Sequence, residues 1–161
     1  YLMGTALDDV CAGLNGKQIN YDASRPIDGS LLFSIQVLGQ GFPLEWGNTV
    51  TAGKITHASA TTSTGSVGSQ STAGAVGFLQ IFSIGSGTPT FIIQDSSDTT
   101  DGIDGAWATL ISFATQAQGA ERKEVSGTVE KGLRAQTTGT FTDAVFAMGL
   151  RRGTAQDDVS Y

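Results

Sequence analysis

The stretch of sequence that says most about the fold is Gly77-Phe78-Leu79-Gln80-Ile81-Phe82-Ser83-Ile84. Its apolar residues fall on both faces of an extended chain, because they occupy both odd and even positions. A strand with two apolar faces belongs in the interior of a sheet that is covered on both sides. We therefore predict a central, fully covered strand at 77–84.

Shorter segments of the same kind, separated by turn residues, lie on either side of this strand. Their number and spacing favour a mainly β protein with an antiparallel β-sandwich or jelly roll. In the last segment Phe141 has the opposite parity to Phe146, which predicts a bulge near Ala144. The predicted strands are 49–56, 66–72, 77–84, 90–94, 107–113, 122–125, 129–136 and 141–151.

Composition narrows the classes of protein that the chain can represent. It has 161 residues, 22 of them Gly, and a net charge of −6, which disfavours a protein that coats nucleic acid phosphates. We find no apolar run of the roughly 20 residues that a membrane helix needs and no basic leader, so we expect a soluble, unexported protein. The single cysteine excludes an internal disulfide.

The first 45 residues have a different character from the rest. Apolar residues from Met3 to Leu14 recur with helical spacing, with Thr5 as a candidate N-cap, and predict one short N-terminal helix. A strand follows at 31–38, with Leu31, Phe33, Ile35 and Val37 on one apolar face.

We divide the chain at the turn residues that precede Trp46. This gives a helix-plus-strand segment at 1–45, which resembles the end of a tube-type β domain, and a jelly-roll-like sandwich at 46–153. The polar, acidic tail at 154–161 is expected to be extended or to reach a neighbouring subunit.

Residues able to do acid–base or nucleophilic chemistry are scarce. His57 could join a Ser and an Asp in a hydrolytic triad, but it is better interpreted as a solvated or locally hydrogen-bonded loop residue, and no G-x-S-x-G pattern occurs. Cys11 is expected to pack as a small apolar side chain. Nothing in the sequence places Glu45 opposite a second carboxylate for glycoside hydrolysis. We therefore predict a protein that is not an enzyme and needs no cofactor.

An acidic loop at 95–105 is the feature with the most ligand character. Asp95, Asp98 and Asp101 would be the metal ligands if calcium bound there. The spacing does not match a calcium-binding loop, however, and Asp-rich turns between strands are common without metal. We predict no metal site.

Two further groups of residues suggest binding. Arg134, Arg151 and Arg152 lie among acidic residues and are candidates for contacts between subunits rather than for nucleic acid binding. Trp46 and Trp107 could stack on sugars beside the acidic loop, as in a glycan-binding jelly-roll module, although buried tryptophans are commoner in sandwiches.

Several short motifs in 45–152 resemble those of virion proteins from long-tailed bacteriophages, in particular tail tube (major tail) proteins and tail-associated β-sandwich domains. Gly132 departs from the pattern, since the resemblance leads us to expect an aromatic residue before Leu133. The motifs are 45–47, 51–53, 77–82, 91–98, 107–110, 125–129, 133–135, 139–142 and 146–152.

This resemblance implies a non-enzymatic structural protein of the virion, assembled in the host cytoplasm. Its partners would be copies of itself, in a homo-oligomer of the tail tube or its decoration, and other phage structural proteins. No membrane and no specific nucleic acid sequence is implied. The alternatives are a capsid decoration protein and a glycan-binding jelly-roll module on the virion surface.

Overall fold

The computed structural model of the chain describes residues 4–14, 16–24, 29, 31–39, 41 and 43–154. Within these residues the protein is all β, with antiparallel sheets and no helix. It follows that the described part holds no helix of the length and apolarity needed to cross a bilayer. The chain divides into two compact units, one formed by the described residues of 1–13 and 46–161 and the other by those of 14–45.

The strands are numbered in chain order. They are β1 (Val10–Gly13), β2 (Gly16–Ser24), β3 (Leu32–Gly39), β4 (Glu45–Thr49), β5 (Ile55–His57), β6 (Thr61–Thr62), β7 (Ser66–Val67), β8 (Ala75–Ser83), β9 (Ser86–Gly87), β10 (Thr90–Ser96), β11 (Ala108–Ser112), β12 (Gly119–Val125), β13 (Gly132–Thr138), β14 (Phe141–Thr142) and β15 (Ala144–Arg152).

The larger unit contains two main antiparallel sheets. The first has the order β1-β4-β15-β8-β12, with β5 also on β15, and the second has the order β11-β10-β13, with β6 and β7 both on β13. Apolar side chains from both sheets form one core, in which Phe91 of β10 meets Phe146 of β15 edge-on at 4.9 Å. This shared core is what the alternating apolar residues of the long strands predict.

Strand β8 lies inside the first sheet, between β15 and β12. Leu79 and Ile81 point into the core, but Phe82 is 42% exposed, with the Lys54 ammonium 5.7 Å from the centre of its ring. The prediction that this strand is covered on both faces is therefore wrong. An antiparallel sheet needs only one buried face. The cation–π interaction with the Lys54 ammonium stabilises the exposed ring of Phe82.

The predicted bulge near Ala144 is confirmed. Asp143 takes a left-handed φ of 49°, and the pairing of β15 with β8 shifts register between Val145 and Phe146. The irregularity brings Phe141 and Phe146, which differ in parity, into the same core. The bulge therefore allows the strand to supply the core on both sides of the kink.

The predicted N-terminal helix is wrong. The carboxylate of Asp9 accepts hydrogen bonds from the backbone N–H groups of Thr5 and Ala6, at 2.9 and 2.8 Å, and Asp8 takes a φ of 65°. This turn is followed by β1, which pairs with β4. Pairing with the sheet thus overrides a weak helical preference in a segment too short to be a stable helix. Met3, at the start of the predicted helix, lies outside the described residues.

The smaller unit contains the β2–β3 hairpin, and the strand predicted at 31–38 is confirmed as β3. Tyr21 pairs with Ile35, and an irregularity between Gln18 and Asn20 inserts one extra residue into β2. The side chain of Phe33 lies outside what the structure describes, as do residues 155–161 of the predicted tail.

Candidate functional site

The β2–β3 hairpin has one apolar face, which we call the hairpin face. Tyr21 and Ile35 form its central pair. Because the extra residue in β2 follows Gln18, Ile19 lies on the same side as Tyr21. Ile19, Tyr21 and Ile35 are 57%, 54% and 47% exposed. By register and alternation, the hairpin face comprises Ile19, Tyr21, Ala23, Ile35 and Val37.

The opposite face of the hairpin is polar at its centre and partly apolar at its ends. Asn20 pairs with Gln36 and Asp22 with Ser34, whereas Leu32 and Leu38 are 55% and 63% exposed. The hairpin is therefore amphipathic only over its central pairs. A two-stranded hairpin alone is marginally stable in water, so burial of its apolar face would stabilise it substantially.

The edge strands β12 and β3 differ in the number of charged side chains that they carry. Strand β12, the last strand of the first sheet, carries four consecutive charged residues from Glu121 to Glu124. Strand β3 carries none over its eight residues, and within the described chain its sheet has only two strands. Charged side chains on an edge strand discourage pairing with other chains. Charge therefore protects the β12 edge, whereas β3 and the edge strands β1 and β11 of the two main sheets carry no charged residue.

A second candidate site lies in the larger unit, where a cleft of about 280 Å³ opens beside Trp46. Trp46 is 52% exposed. Asp8 is fixed at the rim because its N–H donates to the Thr49 carbonyl at 3.0 Å and its carbonyl accepts from the Asn48 amide at 2.8 Å. The lining includes Asp8, Trp46, Asn48, Ser66, Arg151 and Arg152.

Trp107, the other tryptophan, is partly buried, and one face of its ring is covered. The Arg134 guanidinium lies 4.3 Å from the centre of the ring, and the indole N–H donates to the Ile103 carbonyl at 3.2 Å. A side chain at Gly132 would clash with the Thr99 methyl and would lie 3.3 Å from the Trp107 ring. Trp107 and Thr99 therefore occupy the space where the family resemblance led us to expect an aromatic residue. A sugar could not stack on the face of Trp107 that Arg134 covers.

The arginines proposed as interface residues make contacts within the chain. Arg134 donates through Nε to the Gln94 side-chain oxygen at 2.8 Å. Arg152 donates to the carbonyls of Val129 and Lys131, at 3.1 and 3.2 Å. Burial lowers the pKa of the Arg152 guanidinium. Arg151 is half-buried and lines the cleft beside Trp46.

The carboxylates of the acidic loop bind the loop's own backbone and hydroxyl groups. Asp98 accepts from the Ser96 hydroxyl at 2.7 Å and from the Ala106 N–H at 2.8 Å, and these bonds lower its pKa. Asp101 accepts from two N–H groups of the same loop, whereas Asp95 accepts from the Glu130 N–H at 2.9 Å. No group of three or more potential metal ligands occurs in the part of the chain that the structure describes.

The single histidine and the single cysteine are both buried. His57 is 6% exposed; its Nδ1 lies 2.7 Å from the Thr137 hydroxyl, and its ring packs edge-on against Phe146. The interpretation of His57 as a solvated or locally bonded loop residue is therefore wrong, since Thr137 is distant in sequence. Cys11 packs in β1, and burial raises the pKa of its thiol to about 11.

Sequence reasoning identified Ile35, Val37 and Trp46 as candidate binding or face-forming residues, but it missed Ile19, Tyr21 and Asp8. The sequence analysis predicted no strand at 16–24, although the alternation of Ile19 and Tyr21 is a strand signal. No family model and no curated protein matches the chain.

Proposed function

We propose that this chain is a structural subunit of a long-tailed bacteriophage virion, in the tail tube or its decoration. It works by self-association and by contact with other tail proteins, with its larger unit serving as a jelly-roll-like sandwich. The hairpin face carries this proposal, because Ile19, Tyr21 and Ile35 are each about half exposed. A cluster of exposed apolar side chains on one sheet face is typical of an interface.

The energy available from this face suits a repeated assembly. Burying the remaining exposed part of each of these side chains contributes about 1 kcal/mol, so one hairpin gains a few kcal/mol. A single contact of that strength is weak by itself. In a closed ring every subunit makes the contact, and the assembly is correspondingly more stable than any one pair.

Other features support a structural role over a catalytic one. His57 and Cys11 are both packed in the interior. The acidic loop uses its carboxylates to hold its own turns. The net charge of −6 suits a surface past which DNA moves without binding. The short motifs that resemble those of phage tail proteins favour the same class of protein.

Two adjacent substitutions on opposite faces of β3 test the proposal. We expect Ile35→Asp to dissociate the assembly, because it places a charge on the hairpin face where apolar contact is needed. Gln36→Asp, which adds the same charge at the next position, in the polar centre of the opposite face, should assemble like the wild type. The molar mass of each protein is measured by size-exclusion chromatography with light scattering.

Far-ultraviolet circular dichroism and thermal unfolding check that both variants fold, since the larger unit should melt at the wild-type temperature. A wild-type protein that stays monomeric at every concentration would contradict the proposal of self-association. A wild-type assembly that Ile35→Asp leaves intact would show that the interface lies elsewhere.

A further inference from the structure

The residues that line the cleft beside Trp46 have no part in the proposed structural role. An indole that is 52% exposed lies at its rim, although a tryptophan with no binding role gains most from full burial. Trp107 provides the contrast within the same unit, since its ring is covered by Arg134 and its N–H is hydrogen-bonded.

The polar groups of the cleft are of both signs. Asp8 and Arg152 both line it, and the two attract each other electrostatically. The Asp8 carboxylate would repel a purely anionic ligand, and the charge of Arg152, whose guanidinium donates to the carbonyls of Val129 and Lys131, would repel a purely cationic one. A neutral polyol suits both, because each hydroxyl group can donate to a carboxylate and accept from a guanidinium or an amide.

Asp8 and Asn48 are held in place before any ligand binds. The backbone of Asp8 is fixed at both ends, by the Thr49 carbonyl and by the Asn48 amide. Its φ of 65° is one that aspartate tolerates better than most residues. Preorganised polar groups next to an aromatic surface are the usual construction of a small-ligand site.

We propose that this cleft binds one pyranose ring of a neutral glycan. The apolar C–H face of the sugar stacks on Trp46, and its hydroxyl groups bond to the Asp8 carboxylate and the Asn48 side-chain oxygen. The volume of about 280 Å³ is at the small end for ligand sites, which limits the occupant to a single ring of a larger chain. A subunit exposed on the virion could in this way hold a cell-surface saccharide in addition to its structural contacts.

The test is ligand-observed NMR on the full chain with four probes: D-glucose, D-galactose, D-mannose and N-acetyl-D-glucosamine. We expect saturable binding of at least one probe in the millimolar range that one ring provides. Trp46→Ala should weaken it at least about tenfold, and Trp46→Phe should restore part of it. Asp8→Asn, which keeps the left-handed backbone, should weaken it through loss of the carboxylate.

Phe82→Ala is the matched control, because Phe82 is also an exposed aromatic but lies at the other end of the β8–β15 ladder from Arg152. It should bind the sugar as the wild type does. The inference is overturned if no probe saturates below about 50 mM, or if Phe82→Ala loses as much binding as Trp46→Ala. It is also overturned if Trp46→Ala breaks up the assembly without any sugar binding in the wild type, since Trp46 would then be a subunit contact. Because sugar binding and molar mass are measured separately, each proposal can fail without the other.

Discussion

His57 couples the stability of the core to pH. Its ring packs on Phe146, and burial lowers its pKa below the ordinary value. The unfolded chain takes up a proton near pH 6.5, whereas the folded chain resists protonation until lower pH. Stability is therefore fully present above about pH 6.5 and falls as the pH drops below it. We expect the melting temperature to fall between about pH 7 and pH 5.

The replacement His57→Gln gives the control for this effect. It removes the only histidine but keeps a side chain that can bond to the Thr137 hydroxyl. We expect the melting temperature of the variant to be nearly independent of pH over that range. Hydrogen bonds also lower the pKa values of the carboxyl groups of Asp98, Asp101 and Glu121, but the stability that they contribute is lost mainly below about pH 4.5. An equal slope in both proteins would contradict this assignment.

Among the strands, β15 depends on the left-handed residue at its start. Asp143 has a φ of 49°, which a β-branched side chain adopts only with strain. We expect Asp143→Val to cost about 1–2 kcal/mol of unfolding free energy. Asp143→Gly removes the same carboxylate without the strain, and it should be close to the wild type or more stable.

Urea denaturation of the two variants measures the difference. If Val and Gly at position 143 are equally destabilising, the loss comes from the carboxylate and not from the backbone. The role of the bulge in bringing Phe141 and Phe146 into one core would then need another explanation.

Strands β8, β10 and β15 were predictable because each contains a run of apolar residues, which is a local signal. Strand β2, which is also long, was not predicted. The segment before β2 was not predictable in this way. Its helical spacing is real, but Asp9 closes a turn and β1 gains its stability from β4, a strand far along the chain. Local periodicity contains no information about that partner.

The candidate sites were predictable only in part, for a related reason. The sequence shows the apolar alternation of Ile35 and Val37 but not that β3 pairs only with β2 in the part of the chain that the structure describes. The sequence alone does not distinguish Trp46 from Trp107. In the fold, Arg134 lies over the Trp107 ring, and the absence of a side chain at Gly132 leaves room for that ring. Contacts between residues distant in sequence decide which aromatic side chain stays exposed.

For the chain as a whole, self-association and folding of the hairpin should be linked. The larger unit has one hydrophobic core shared by two sheets. We expect this core to be sufficient for the unit to fold without the hairpin. Among its described residues, the hairpin unit has two paired strands, and the side chains of Ile19, Tyr21 and Ile35 are each about half exposed. Its strands gain much of their stability only when the hairpin face is covered.

Backbone hydrogen exchange, measured by mass spectrometry over a range of protein concentrations, tests this link most directly. We expect the amides of β2 and β3 to exchange rapidly in the dilute monomer and at least about tenfold more slowly once the protein assembles. The amides of β8 and β15 should be protected at every concentration. Protection of the hairpin that is equal in monomer and assembly, or rapid exchange of the hairpin within a large assembly, would contradict assembly through the hairpin face.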